Sequence, residues 1–452
     1  MHRRHLPAAS LAAVVLVFCA ALGMSLRAGE PVAGPSPPPR APAMQAVGAF
    51  TGPGSCAAAA CHGAVRPVVG SRILQTEYTT WIAQDRHVRA FEVLSNPVSV
   101  RMAKILGVGR ADTAPKCLAC HTVDVPGGRQ AHTFANEGVS CEACHGPASG
   151  WLGPHTTRGW THEQSLALGM YDTKDVVKRT ERCLTCHLGT ADKSVDHEMI
   201  AAGHPDLVFD LEAFSAAMPR HWRENTDQDP FRSVRAFSLG QLVHVRSSLD
   251  RLAVRVKGPV WPEYAELDCF ACHHSLTRAD DSWRQAQGYP GRRPGNPPLN
   301  LSRWTTARHV LAAFDESGAA ELDGVITKLA LEASRLRTDA DQVVAIASQA
   351  RAMIDRGIGR ALSAPADGAL ARRLLRAVAG AAEEIAPRGE RAAEQTAMAM
   401  ESLYAAWARG SGGETAAMKA AFNELFQQFE NPSSYDPRRF VAQVRKIESA
   451  LP

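Results

Sequence analysis

The chain of 452 residues has little excess charge of either sign: 50 Lys and Arg stand against 46 Asp and Glu, a formal balance of +4. Arg3, Arg4 and Arg27 account for three of those positives. A balance this small gives no support to nucleic-acid binding, which needs a basic patch or tail. Strand signals are sparse, so the fold class expected is mainly α. Long apolar runs are missing as well. The one candidate, Leu11 to Leu26, falls short of the roughly 20 residues a spanning helix needs, although Pro7 to Ser10 could extend it. Beyond about Leu301 there is no cysteine, and His309 is the last histidine. Thiol and imidazole chemistry is therefore confined to the first two thirds of the chain.

Within that part, the cysteines follow a strict pattern. Of the 11 in the chain, Cys19 lies in the N-terminal apolar segment and the other ten form five pairs, each followed directly by histidine. Four read C-x-x-C-H: Cys117–Cys120–His121, Cys141–Cys144–His145, Cys183–Cys186–His187 and Cys269–Cys272–His273. The fifth, Cys56–Cys61–His62, has four residues between its cysteines. Residues at i and i+3 share a helix face, so two thiols so spaced reach the two vinyl groups on one edge of a haem. The next histidine turns its imidazole onto the iron. Zinc and thioredoxin-like motifs also use C-x-x-C, but they do not require histidine immediately after the second cysteine. In the wider motif the loop must bulge to bring both sulfurs to one ring; the alternative there is a Cys56–Cys61 disulfide with His62 incidental. Five haems c are expected, held by these ten cysteines, with His62, His121, His145, His187 and His273 as proximal ligands. Their propionates make the holoprotein near neutral or acidic and give the abundant arginines a local use.

Arg3 and Arg4 before the apolar run form the charged and hydrophobic regions of a secretory signal. Haem attachment to cysteine pairs takes place outside the cytoplasm, so a periplasmic or otherwise exported location is expected. Residues 1–28 read as a signal peptide or, alternatively, an N-terminal membrane anchor. Bulky Phe18 before Cys19 argues against a lipoprotein. Residues 29–55, rich in proline, read as a linker.

Residues 56–300 read as a pentahaem cytochrome domain. Four motifs within 56–187 leave little room for an ordinary side-chain core, so the macrocycles, wrapped by short helices and loops, must supply much of it. Residues 301–452 read as an all-α C-terminal domain of about six helices, structural or docking in role. Val343, Val344, Ala347, Ala350, Ile354 and Ile358 form a helical stripe. Thr338 to Asp341 reads as a capping box, Asp436-Pro437 as a helix start, and Gly410 to Gly413 as a break between helices.

Ten further histidines lie between His87 and His309, enough to give most irons a second imidazole. Trp81…His87-Val-Arg-Ala90…Leu94 is similar to the W-x-x-S-x-H-x-x-A-x-x-x-L segment of cytochrome c554-type proteins. Gly138-Val-Ser-Cys141-Glu-Ala-Cys144-His145-Gly-Pro147…His155 resembles that family's G-V-x-C-E-x-C-H-G-P string followed by a histidine. Wider relatives include hydroxylamine oxidoreductase and the multihaem nitrite reductases. The resemblance, over roughly residues 55–190, implies a mostly helical fold, haems in near-parallel and perpendicular pairs, and electron transfer. It also implies that His87 and His155 are distal ligands, each serving a haem other than its sequence neighbour. Asp85 departs from the family's usual residue, with little consequence. Segments around His197, His204 and His221 look like parts of larger cytochromes in this group and supply three more candidate ligands. His204 sits on a stiff turn between Gly203 and Pro205. His132 and His309 are weaker candidates. His244 reads as structural, His274 should point away from the haem at His273, and His162 has no supporting context. The fifth motif, the helical tail and the wide first motif depart from a four-haem family core.

The expected function is electron transfer through bis-histidine haems, whose low potentials follow from the absence of a methionine ligand. Partners would be redox proteins or a membrane quinol-linked complex. The alternative is a reductase or oxidase for a small nitrogen or sulfur compound at one open haem. By the family resemblance the Cys117–His121 site is its first candidate. A haem-bearing sensor or scaffold is a third reading.

Overall fold

The computed structural model describes residues 48–71, 73–123, 125, 135–223, 229–273, 291–293, 296–411, 413–431 and 435–451. The signal or anchor reading, Cys19, most of the proline-rich segment, His132 and His274 lie outside the described residues. The fold is mainly helical, as expected. Among the described residues the only β pairing is a single antiparallel bridge between Leu267 and Leu299, and no helix is long and apolar enough to cross a membrane.

Short helices come first: α1 (Glu77–Gln84), α2 (Pro97–Leu106), α3 (Pro115–His121), α4 (Cys141–His145), α5 (His162–Ala167), α6 (Val176–His187), α7 (His197–Ala202) and α8 (Leu211–Ala217). Local signals set their ends. The Asn96 carboxamide oxygen accepts from Ser99 N–H at 2.8 Å, with Pro97 at the first helical position, and Gly107 stops α2 at φ +65°. Thr161 and Gln164 cap each other across the start of α5. Asp175, Asp196 and Asp210 cap α6, α7 and α8. Such caps stabilise by about 1 kcal/mol each, which helices this short need because nucleation is unfavourable.

The second set is longer, the one-turn α14 apart: α9 (Arg232–Arg255), α10 (Ser302–Phe314), α11 (Glu316–Ala333), α12 (Ala340–Ser363), α13 (Gly368–Gly380), α14 (Ala382–Ile385), α15 (Glu390–Ser411), α16 (Ala416–Phe426) and α17 (Pro437–Ser449). A single apolar core joins them, running from Leu184 and Leu188 at the end of α6, through Phe237, Leu242 and Leu252 of α9, to Phe440 and Ile447 of α17. Helix α9 is buried on most faces along Val234–Val245, as a central helix must be. The apolar core therefore runs continuously across residue 300. Expected features of the tail are present: the α12 stripe is buried, with Val344 half-buried, Asp436 caps α17 before Pro437, and the chain breaks between Ser411 and Ala416. The cap of α12 differs by one residue. Asp339 accepts from Gln342 N–H at 3.1 Å, while the Thr338 hydroxyl donates to the Arg335 carbonyl at 3.0 Å, closing α11 instead.

Candidate haem sites

Three of the C-x-x-C-H strings occupy α3, α4 and the end of α6. The fourth starts with a 3-10 turn, Cys269–Ala271, and His273 N–H donates to Cys269 C=O at 2.7 Å. In the wider motif His62 N–H donates to Cys56 C=O at 3.3 Å, so the bond from histidine to the first cysteine is kept across two extra residues. The insert loops out, with Cys61 and Gly63 N–H both donating to Ala58 C=O. A Cβ on Gly63 would lie 1.9 Å from the Ala57 oxygen, so the bulge admits only glycine there. Cys56 and Cys61 are not joined as a disulfide.

The histidines singled out in the sequence come together in pairs. Ring centroids are 6.2 Å apart for His62 and His155, 6.2 Å for His87 and His187, 6.4 Å for His121 and His204, and 6.3 Å for His197 and His273. The interplanar angles are 4°, 86°, 88° and 33° respectively. His145 has His221 as its neighbour; after burial, the charge of His221 is the largest influence holding the His145 ring at a pKa of about 4. Each pair joins one motif histidine to one from elsewhere in the chain. A separation of about 6 Å is what two metal–imidazole bonds of about 2 Å plus two ring half-widths require. The donor set therefore fits iron between paired imidazoles.

Hydrogen bonding at the other ring nitrogen supports this. Nδ1–H donates to Glu77 from His62 at 3.0 Å, to Asp85 from His87 at 2.9 Å and to Ala90 C=O from His121 at 2.6 Å. His155 donates to Trp151 C=O at 3.0 Å, His204 to Pro205 C=O at 2.7 Å and His221 to Pro219 C=O at 3.3 Å. Such bonds orient a ring and leave Nε2 for a metal. Three other histidines use Nε2 inside the protein. His162 Nε2 pairs with Asp172 at 3.0 Å, His244 Nε2 accepts from Arg303 at 2.8 Å, and His309 Nε2 from Arg308 at 3.3 Å. His244 is structural, as its helical context suggested.

Short segments tie each site to the next. Gly138, at φ +69°, sits where a Cβ would meet the His87 and Val88 carbonyls at 2.5 Å. Val139 N–H donates to His87 C=O at 2.9 Å and Trp81 Nε1–H to Val139 C=O at 3.1 Å. The two family-like strings thus bind each other, and His87 is aimed at His187. Helix α7 carries His197 at its start and His204 just past its end, one toward His273 and the other toward His121. Lys116, beside Cys117, bonds Asp196, beside His197, at 2.5 Å. Cys56 lies beside Cys141, Cys144 lies within electrostatic reach of Cys183 and Cys186, and His121 within reach of Cys186. Neighbours in space are therefore the Cys56 and Cys141 motifs, the Cys141 and Cys183 motifs, and the Cys183 and Cys117 motifs.

Three carboxylates here have roles the sequence reading did not give them, Asp85 among them, whose departure from the family pattern was read as of little consequence. Glu77 takes the His62 ring and the Leu74 amide. Asp85 takes both the ring and the amide of His87; the Asp-x-His spacing, a short Asx-type turn, was its signal. Glu142, inside C-E-A-C-H, accepts from Thr51, Gly52 and Ala148 N–H at 2.7–3.0 Å. It pins residues 48–55, the end of the stretch read as linker, onto α4.

Residues 56–146 match the family model described as cytochrome c554 and c-prime. No curated protein and no solved structure matches the chain. The matched segment holds the motifs at Cys56, Cys117 and Cys141 together with His87, and it supports a c-type cytochrome role in electron transfer with covalently bound haem c. More narrowly, the segment is of the cytochrome c554 type, which narrows the resemblance first read over residues 55–190.

Proposed function

We propose that the chain carries five haems c, each between two histidines, and passes electrons along them as an exported carrier. The observation that carries this reading is the ring-to-ring pairing of four motif histidines with His155, His204, His87 and His197, with His221 near the fifth, His145. Haem supplies a one-electron change between ferric and ferrous iron. The chain's residues do the rest: the cysteines would hold the haem covalently, and the paired imidazoles would ligate its iron. The Nδ1 partners keep the rings from turning. Irons ligated by protein on both sides would leave small molecules nothing to bind, which suits sites that relay electrons. His204 stands opposite His121, so the site first considered for an open position has an imidazole on each side. The donors and acceptors are redox proteins or a quinol-linked complex at the membrane. Export by the N-terminal segment follows from where covalent haem attachment takes place.

Intact mass and a pyridine haemochrome assay should give five haems, and the reduced protein should show little spectral change with carbon monoxide. His155→Ala should convert one haem in five to high spin with no loss of haem mass. A large carbon monoxide shift in the wild type would replace the carrier reading with a reductase.

A further inference from the structure

Helix α2 presents two unlike faces. Ala103 points inward and packs with Leu94, Ala111 and Leu118, against Cys117 of the second motif. The opposite face leaves Val98, Val100 and Ile105 exposed by 51%, 58% and 61%, with Arg101 and Lys104 exposed between them. Soluble proteins rarely cluster large apolar side chains on one exposed helix face without a partner. Between Arg86 and Lys104 the exposed charged side chains are Arg86, Arg89, Arg101 and Lys104 against Glu92 alone. The same helix lies beside the His121–His204 pair: a Cβ on Gly203, next to His204, would sit 3.6 Å from the Arg101 guanidinium and 3.7 Å from Met102. Only the thickness of one helix, about 10 Å, separates a molecule on the outer face from the haem attachment at Cys117.

We propose that this outer face of α2 is the docking surface for an acidic redox protein, and that electrons enter or leave through the His121–His204 site. This rests on the electron-transfer reading. Cations set between apolar side chains fit a partner whose contact patch mixes carboxylates with apolar side chains. The cations steer the encounter and the apolar residues exclude water at the contact. The partner need cross only α2 to reach the paired imidazoles.

The test is stopped-flow electron exchange with an acidic flavodoxin as probe, using the full haem-loaded protein. Wild-type rates should fall as salt is added. Arg101→Glu with Lys104→Glu should slow the exchange at low salt by roughly tenfold or more and flatten its salt dependence. Val98→Ser with Ile105→Ser should slow it at all salt concentrations. Arg372→Glu with Arg373→Glu, an equal charge reversal on exposed positions of α13, should leave it unchanged. Reduction by dithionite should be the same in all four proteins. Normal dithionite reduction with no effect of the α2 charge reversal, or an equal effect of the α13 reversal, would overturn the surface and leave the carrier reading standing. A wild-type dimer dispersed by the serine variant, with flavodoxin rates unchanged, would assign the face to self-association instead. Haems that dithionite fails to reduce would overturn the carrier reading, and the surface with it.

Discussion

Residues 48–221 and residues 232–449 are held together by different means. In the first region helices are short and few large side chains are buried; Trp81, Leu94, Leu118 and Trp151 are among them. Its order comes from directed polar contacts: Glu142 on three amides, Asp85 on His87, and Gly138 beneath the His87 carbonyl. In the second region, long helices bury Ile354, Leu374, Leu403, Phe440 and Val444 completely, at roughly 1.5–3 kcal/mol for each fully buried side chain. A polar clamp places a ring at a fixed angle; apolar burial supplies stability but tolerates repacking. The region that must aim imidazoles uses the first, and the region that must hold the chain together uses the second. Their join is α6, whose last turn carries Cys186 and His187 while Leu184 and Leu188 enter the bundle core. Arg251 of α9 reinforces it, donating to Leu188 C=O and pairing with Glu266 at 2.9 Å.

The sharpest way to break this division is a core truncation. Phe440→Ala should lower stability by about 3–5 kcal/mol, read as a shift in the denaturant midpoint with unchanged slope. The visible spectrum of the native protein should not move. A change of spin state in that variant would show that the bundle also sets haem ligation.

Gly63→Ala attacks the other region. With a carbonyl oxygen 1.9 Å from the new methyl, the looped-out motif has no room, and the protein should lose the mass of one haem while the remaining sites keep their low-spin spectra. Five haems in this variant would mean that the bulge is dispensable.

The smallest effect expected is a pH dependence within the bundle. Burial, and then the neighbouring Arg308, hold His309 at a pKa of about 4, below the ordinary 6.5. Below pH 6.5 the unfolded chain takes up a proton there that the folded chain refuses. Stability should therefore decline as pH falls from about 6.5 to about 4 and level off below. His309→Asn should reduce that decline, measured as the difference between the two midpoint-against-pH curves. Identical curves would show that His309 is solvated.

Much of this was legible in the chain itself. The cysteine spacings, the α12 stripe, the Asp436-Pro437 start and the break after Gly410 are all local, written within a few residues. The start of α12 was misread by one position because Thr338 and Asp339 are both competent caps; packing decided, since Thr338 also accepts from Trp261 Nε1–H at 3.0 Å. The histidines His197, His204 and His221 stood out by context, yet nothing in their spacing said which motif each would face. Nor did the sequence disclose that Glu77 and Glu142 serve the sites, since their partners lie up to 91 residues away.

What the sequence determined alone is the chemistry within reach of a single turn: two thiols and an imidazole, four times over, because i to i+4 geometry is a property of the local backbone; the wider Cys56 motif needed its bulge to be folded first. Which imidazole faces which was decided by the tertiary structure. His62 meets His155 and His87 meets His187 across about a hundred residues, and such contacts exist only after the segments bearing them have packed. Which motifs are neighbours follows from the same packing.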